Sequence, residues 1–441
     1  MILTDIINTK AGPLRGLVKK GYKEFLGVPF AKPPLGKLSY KHPLPIKKWE
    51  GVFEATKPAK NPMQSEGGFA VGDNDQDCLY LNIFVPDDLL AKAPVMVWIF
   101  GGSFAHGGAG SDGKGGVIYD LSYFAIQTKT IVVTINYRLN VFGFLNLSFA
   151  SDKFDKNNGL YDQLEALRFI HENISSFGGD ENNITVFGES AGGASALALL
   201  ASPLSEGLID KVIAQSPPVH SFWSEEESRK IAHRYMKLLG LKVEEADKLL
   251  DVPFDKQARA INKLGRMVKA KGELRCLFSP IIEDEILPSF PIESLQKRDK
   301  NLLIGRQTHE CDIFIREYPK ALMPLMRLVM PFKPLGSGKD IRDRMSDGMS
   351  EYLFNIPIEE LASKYGGPCW QYEMDFVSKE FKASSHRSCH TIDVYVLFAF
   401  ASCWCDPEDD DIKTVGKMMR RVWSDFAYGK LEMGQEKIFF K

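Results

Sequence analysis

The chain has 441 residues, 44% of them hydrophobic and 25% charged, with a formal net charge of −2. That balance supports a sizeable core and excludes a basic nucleic-acid surface, which needs clustered positive charge. The first residues, Met1-Ile-Leu-Thr-Asp-Ile, show no basic segment leading into an apolar run, and no apolar stretch is long enough to span a bilayer.

In chain order, six segments read as buried parallel strands because they are apolar on both faces. They are Pro94 to Phe100, Ile131 to Asn136, Ile184 to Phe187, Val212 to Gln215, Leu302 to Gly305 and Trp370 to Met374. Between the second and third, Leu160, Leu164, Leu167, Ile170 and Ile174 recur at helical spacing, and Phe177-Gly178-Gly179-Asp180 supplies a glycine stop. Strands alternating with helices predict a doubly wound α/β sheet, mostly parallel, with helices on both faces. The charged segments Ser224 to Lys271 and Arg316 to Ser363 read as helical excursions that form a lid or gorge wall. Gly108 to Gly113 formally fits a dinucleotide-binding glycine pattern. It does not sit at a strand end and no helix follows, so it reads as a loop.

The third strand runs into Gly188-Glu189-Ser190-Ala191-Gly192 and then into small, helix-compatible residues. A strand, a Gly-x-Ser-x-Gly turn and a helix are the context of a nucleophile elbow. The turn pushes the Ser190 hydroxyl out at the carboxyl end of a strand, and the helix aims its N–H groups at the reacting centre.

An activated serine needs a base, and the base an orienting acid, in the chain order Ser, acid, His that α/β-hydrolases use. Among the eight histidines, His390 stands just before an apolar run beginning at Thr391, and His386 is its competitor four residues earlier. Glu310 follows the Leu302 strand, with Asp312 as the neighbouring alternative. Spacing leaves both choices open. Oxyanion donors are expected from the Ala191 amide and from Gly102 and Ser103 in the turn after the Pro94 strand.

Several ordered motifs carry a resemblance. Phe25-Leu-Gly-Val-Pro-Phe-Ala-Lys-Pro-Pro-Leu-Gly36, Asp77-Cys-Leu-Tyr-Leu-Asn82, Asn136-Tyr-Arg138, Asn158-Gly-Leu-Tyr-Asp-Gln163 and the elbow follow one another as in the type B carboxylesterase family. The resemblance implies one α/β-hydrolase domain over residues 1–441 and a serine esterase cleaving small to medium carboxylic esters through an acyl-enzyme. An amidase or carbamate hydrolase on the same site is the nearest alternative, and a non-catalytic adhesion relative a remote one. The family's Gly-x-x-x-x-Glu stretch is matched by Gly305 to Glu310, and its histidine run by His390, Asp393 and Phe398. It therefore implies a triad of Ser190, Glu310 and His390. It implies no metal or organic cofactor, and a small-molecule ester as substrate, with no nucleic acid and no membrane span; oligomeric state is left open.

Departures from the family pattern are informative. The glycine-rich oxyanion loop carries Ser103 where glycine is usual, which predicts a tighter site and a preference for small acyl groups. The family's buried Arg–Glu pair is replaced by Ser39 and Gln76, both charges being lost together. The usual disulfide partner of Cys78 is missing, and Ser65 to Gln76 holds no tryptophan to stack a choline. Seven cysteines without paired spacing, Cys403 and Cys405 among them, fit reduced thiols in a cytoplasm. Cys311 and Cys389 each adjoin a triad candidate, so alkylation could slow the enzyme if the two lie near each other.

Overall fold

The computed structural model describes residues 2–65, 72–89, 92–270, 272–316, 318–320, 323, 326, 340–402, 405–432 and 437–441. Cys403, part of the Ser65 to Gln76 segment, Lys271 and part of the second excursion lie outside them. The main sheet is built from β1 (Ile2–Leu3), β2 (Leu17–Lys19), β3 (Tyr22–Pro29), β4 (Tyr80–Pro86), β5 (Ala93–Ile99), β6 (Ile131–Ile135), β7 (Gly179–Glu189), β8 (Lys211–Gln215), β9 (Asn301–Gln307), β10 (Cys369–Met374) and β11 (Ile438–Phe440). Their spatial order among the described residues is β1-β2-β3-β4-β6-β5-β7-β8-β9-β10-β11. β1 to β4 pair antiparallel, as do β4 and β6. From β6 to β11 every pairing is parallel.

All six sequence-predicted strands are present, and all belong to the parallel part. Every residue of β5 and β6 is buried. Their side chains alternate between two apolar layers: Val95, Val97 and Ile99 join one, Met96 and Trp98 the other. The first layer is closed by α2 (Asn158–Asn173) and α3 (Ala191–Ala201), the second by α1 (Ser122–Thr128), α9 (Ile392–Phe398) and α10 (Asp410–Ala427). Helices on both faces let these strands be apolar throughout. A short 3-10 turn, Ile174–Phe177, follows α2 and stops at Gly178, whose φ of 88° suits only glycine at low cost.

The first excursion forms α4 (Glu225–Leu239), a 3-10 stretch over Val243–Asp251 and α5 (Phe254–Lys269). α4 opens with a full capping box between Ser224 and Glu227. The described parts of the second hold α6 (Asp312–Arg316), α7 (Ile341–Ser350), a π-helical turn (Glu351–Asn355) and α8 (Ile356–Lys364). Where the family resemblance directs attention to an Arg–Glu pair, the Ser39 hydroxyl donates to Gln76 Oε1 at 3.1 Å. A neutral hydrogen bond thus stands in for the ion pair. The buried ion pair nearby is Arg138 with Asp162, at 2.6 Å, and Arg138 also donates to the Lys41 carbonyl at 2.8 Å.

The register fixes the site. Ile99 at the end of β5 lies opposite Gly188, Glu189 lies opposite Gln215, and Gln215 lies opposite Gly305. The turns after β5, β7, β8 and β9 therefore emerge side by side at the carboxyl edge, where open α/β sheets hold their ligands.

Candidate active site

Ser190 links β7 to α3 with φ 56° and ψ −123°, a conformation that costs a non-glycine residue of order 1–3 kcal/mol. Its amide donates to the Gln215 carbonyl at 2.9 Å and its carbonyl accepts from Ala194 at 2.9 Å, so both strand and helix hold the strained residue. The glycine that follows is sterically forced. A Cβ on Gly192 would lie 2.0 Å from the Ile99 carbonyl oxygen. All eleven residues of α3 are buried.

The turn after β5 backs directly onto this elbow. A Cβ on Gly101 would meet the Glu189 carbonyl oxygen at 2.7 Å and the Ser190 Cβ at 3.1 Å. Gly102, Ser103 and Phe104 then take φ of 104°, 58° and 57°, and the Gly102 carbonyl accepts from Ala105 and His106 at 3.0 Å each. Among the described residues the amides of Gly102, Ser103 and Ala191 donate to no protein acceptor, Ala191 because it opens a helix. Ser103 is exposed, and its hydroxyl reaches the thiol of Cys276, whose own amide donates to Ser221 Oγ at 2.9 Å. The segments that lead into and out of the first excursion thus wall this side.

Glu310 and His390 meet at the far side of the elbow. Nδ1 of His390 lies 2.6 Å from Glu310 Oε2, and the His390 amide donates to the Glu310 carbonyl at 3.1 Å. The other Glu310 oxygen accepts from the Gln307 amide at 2.8 Å. Nε2 of His390 lies 3.2 Å from Glu189 Oε1, so the residue before the serine faces the same imidazole. Phe354 on the π-helical turn and Phe314 on α6 cover the ring, with centroids 5.0 and 5.5 Å away.

Asp312 and His386 stand apart from this contact. Asp312 is occupied by two arginines: it accepts from Arg316 Nε at 2.6 Å and from Arg387 Nη2 at 2.8 Å. His386 pairs with Ser384 Oγ at 3.0 Å and packs on Phe381.

The electrostatics are those of a buried cluster. Burial pushes the Glu189 carboxyl up to about 8, and also raises Asp393, to about 6. Asp393 accepts from Gln215 Nε2 at 2.9 Å and from the Tyr372 hydroxyl at 3.1 Å. For His390, burial opposes the charged form, but the carboxylates of Glu189 and Glu310 outweigh it and the ring rises to about 9. Glu189 and His390 draw on one proton: while Glu189 keeps it, the lift it gives the ring is absent. Glu310 lifts the ring as well, by its charge and by the 2.6 Å contact. Cys311 and Cys389 are both fully buried and electrostatically coupled, and burial raises both thiols, which disfavours alkylation.

A carboxylesterase family profile matches residues 4–328. The chain belongs to the carboxylesterase family. The para-nitrobenzyl esterase of Bacillus subtilis (strain 168) is 32% identical over 96% of this chain and 89% of that protein. The liver carboxylesterase of Sus scrofa is 28% identical over 91% and 80% of the two chains. Among solved structures, a thermophilic para-nitrobenzyl esterase superposes with a TM-score of 0.82 at 30% identity, covering 98% of this chain and 92% of its own. A carboxylesterase of Geobacillus stearothermophilus reaches 0.84 at 28% identity, covering 99% and 93%. The architecture of this carboxylesterase-family chain is the α/β-hydrolase fold, as the sequence predicts. Two residues with contacts at or beside this cluster escaped the sequence reading. Glu189 hides inside the elbow pattern as an unspecified residue, and Arg387 looks like one more charge in a polar loop.

Proposed function

We propose that this serine carboxylesterase uses Ser190 as nucleophile, His390 as general base and Glu310 as the acid that orients it. The observation that carries the reading is the 2.6 Å contact between His390 Nδ1 and Glu310 beside a strained serine elbow. His390 Nε2 takes the Ser190 proton as Oγ attacks the ester carbonyl. The amides of Gly102, Ser103 and Ala191 receive the developing oxyanion. The C–O bond then breaks, the alcohol leaves with the proton from His390, and water repeats the sequence on the acyl-enzyme. Small to medium carboxylic esters are the proposed substrates, in a single domain with two helical excursions. Buried thiols at Cys78, Cys311, Cys389 and Cys405 support a reducing, cytoplasmic setting. Matched p-nitrophenyl ester and p-nitroanilide substrates test the reaction class. Ester turnover should exceed amide turnover by orders of magnitude, and comparable rates would favour an amidase.

Ser103 is the proposed acyl-size determinant. Its side chain adds bulk at the oxyanion turn, and its φ of 58° favours glycine. Ser103→Gly should raise kcat/KM several-fold on longer acyl esters and hardly change acetate. A flat response across the p-nitrophenyl acyl series would count against it.

Glu189 sets the pH dependence. His390 must be neutral to accept a proton, and neighbouring carboxylates favour its charged form, so they move the acid limb of kcat/KM to higher pH. Activity is therefore lost as pH falls through the raised His390 value. Glu189→Gln should shift that limb to lower pH, read from the kcat/KM profile. An unmoved limb would remove Glu189 from this role.

A further inference from the structure

Both partners of the serine sit on loops. Glu310 follows β9 by three residues, and His390 precedes α9 by two. Loops need outside constraint to hold a contact at hydrogen-bond precision, and an error of about 1 Å in such a site costs on the order of a hundredfold. Two backbone bonds join the loops: the His309 amide donates to the Ser388 carbonyl at 2.9 Å, and His390 to Glu310 at 3.1 Å.

The stronger tie is ionic. Asp312, two residues after the acid, has a side chain only 1% exposed. It accepts from the Arg387 backbone amide and Nε at 3.0 Å each, and from Nη2 at 2.8 Å. Arg387 lies three residues before the base. Its remaining arm, Nη1, donates to Asp347 on α7 at 2.9 Å, and Asp347 also meets His309 Nδ1 at 3.1 Å. Asp343, one turn earlier on α7, accepts from Arg316 at 2.7 Å. Cys311, beside the acid, donates its amide to Ser350 Oγ at 2.9 Å.

We propose that Asp312 and Arg387 form a positioning latch that fixes the His390 loop against the Glu310 loop, with α7 of the second excursion bracing it through Asp347. The inference rests on the triad reading above. A planar guanidinium held by several charge-assisted bonds fixes direction as well as distance, which one backbone bond does not. With Asp312 buried and the Arg387 side chain 25% exposed, the pair's value lies in the direction it imposes rather than in net stability. The excursion then acts on the acid–base pair itself. Neither Asp312 nor Arg387 touches the imidazole, so both act through Glu310 and His390.

The test compares wild type with Arg387→Gln, Arg387→Lys and Arg298→Gln in the full chain. Arg298 makes an ion pair with Glu206 and bonds to the Ala201 and Ser202 carbonyls at the end of α3, away from both loops. Kinetics on a p-nitrophenyl ester are normalised to active sites, and thermal unfolding is followed in parallel. Arg387→Gln should lower kcat ten- to a hundredfold with KM within about twofold. Its acid limb should move to lower pH as the Glu310 contact loosens, because Glu189, Glu310 and Asp393 are the charges that face His390. Arg387→Lys should fall between, and Arg298→Gln should keep wild-type kcat and limb whatever its melting temperature. Wild-type kcat and limb in Arg387→Gln would overturn the latch. Should that variant not fold, Arg387→Lys decides: a threefold or greater kcat loss with a shifted limb supports the latch, and wild-type behaviour overturns it. An active Ser190→Ala enzyme would instead overturn the triad reading, so the two failures are distinguishable.

Discussion

Ser190→Ala will lower kcat by about a millionfold, the scale on which a serine hydrolase loses turnover with its nucleophile. Alanine removes the Oγ proposed to form the acyl-enzyme and leaves the amides of Gly102, Ser103 and Ala191 in place. Their oxyanion binding should retain a residual rate of roughly 10³ to 10⁴ over water. Both φ 56° and the bonds to Gln215 and Ala194 involve only backbone, so the variant should fold normally. Stopped-flow release of p-nitrophenol should show no burst. Turnover within tenfold of wild type would sink the mechanism.

Glu310→Gln should cost about ten-thousandfold in kcat. By accepting from His390 Nδ1 at 2.6 Å, the carboxylate favours the tautomer with Nε2 unprotonated. A glutamine amide can donate to Nδ1, which selects the opposite tautomer with the proton already on Nε2. The base would then be present and correctly placed, yet unable to act. Asp312→Asn makes the informative comparison, since Asp312 touches Arg316 and Arg387 and not the ring. Its loss should be at least a hundredfold smaller. Equal losses in the two variants would return the choice of acid to where spacing leaves it.

That choice shows where sequence ran out. Glu310 and Asp312 are two residues apart, on the loop before α6 and at its first residue, with the same charge. What separates them is three-dimensional: two arginines, one of them 75 positions away, occupy Asp312. The parallel strands were legible because burial on both faces leaves an unbroken apolar run. The antiparallel strands were not, since β1 and β2 are two and three residues long and β3 opens on Tyr22-Lys23-Glu24. β7 begins at Gly179, five residues before its apolar run, because Gly179 pairs with Ala93 across an irregular register. Family motifs named the triad candidates, but no motif carries Arg387, whose role depends on partners from two other segments.

The helix behind the nucleophile has a consequence for how this enzyme fails and how it adapts. α3 is wholly enclosed, and it holds Ser190 through its first turn. The proposed nucleophile is therefore anchored by an enclosed helix, while Glu310 and His390, though buried, sit in turns held only by cross-loop bonds. Warming should disarm such a molecule before it melts, by letting the loops drift while the anchor stays put. The same asymmetry gives evolution a safe place to work. Changes in the loops and excursions can retune rate, pH response and substrate size, and the attacking oxygen never has to move.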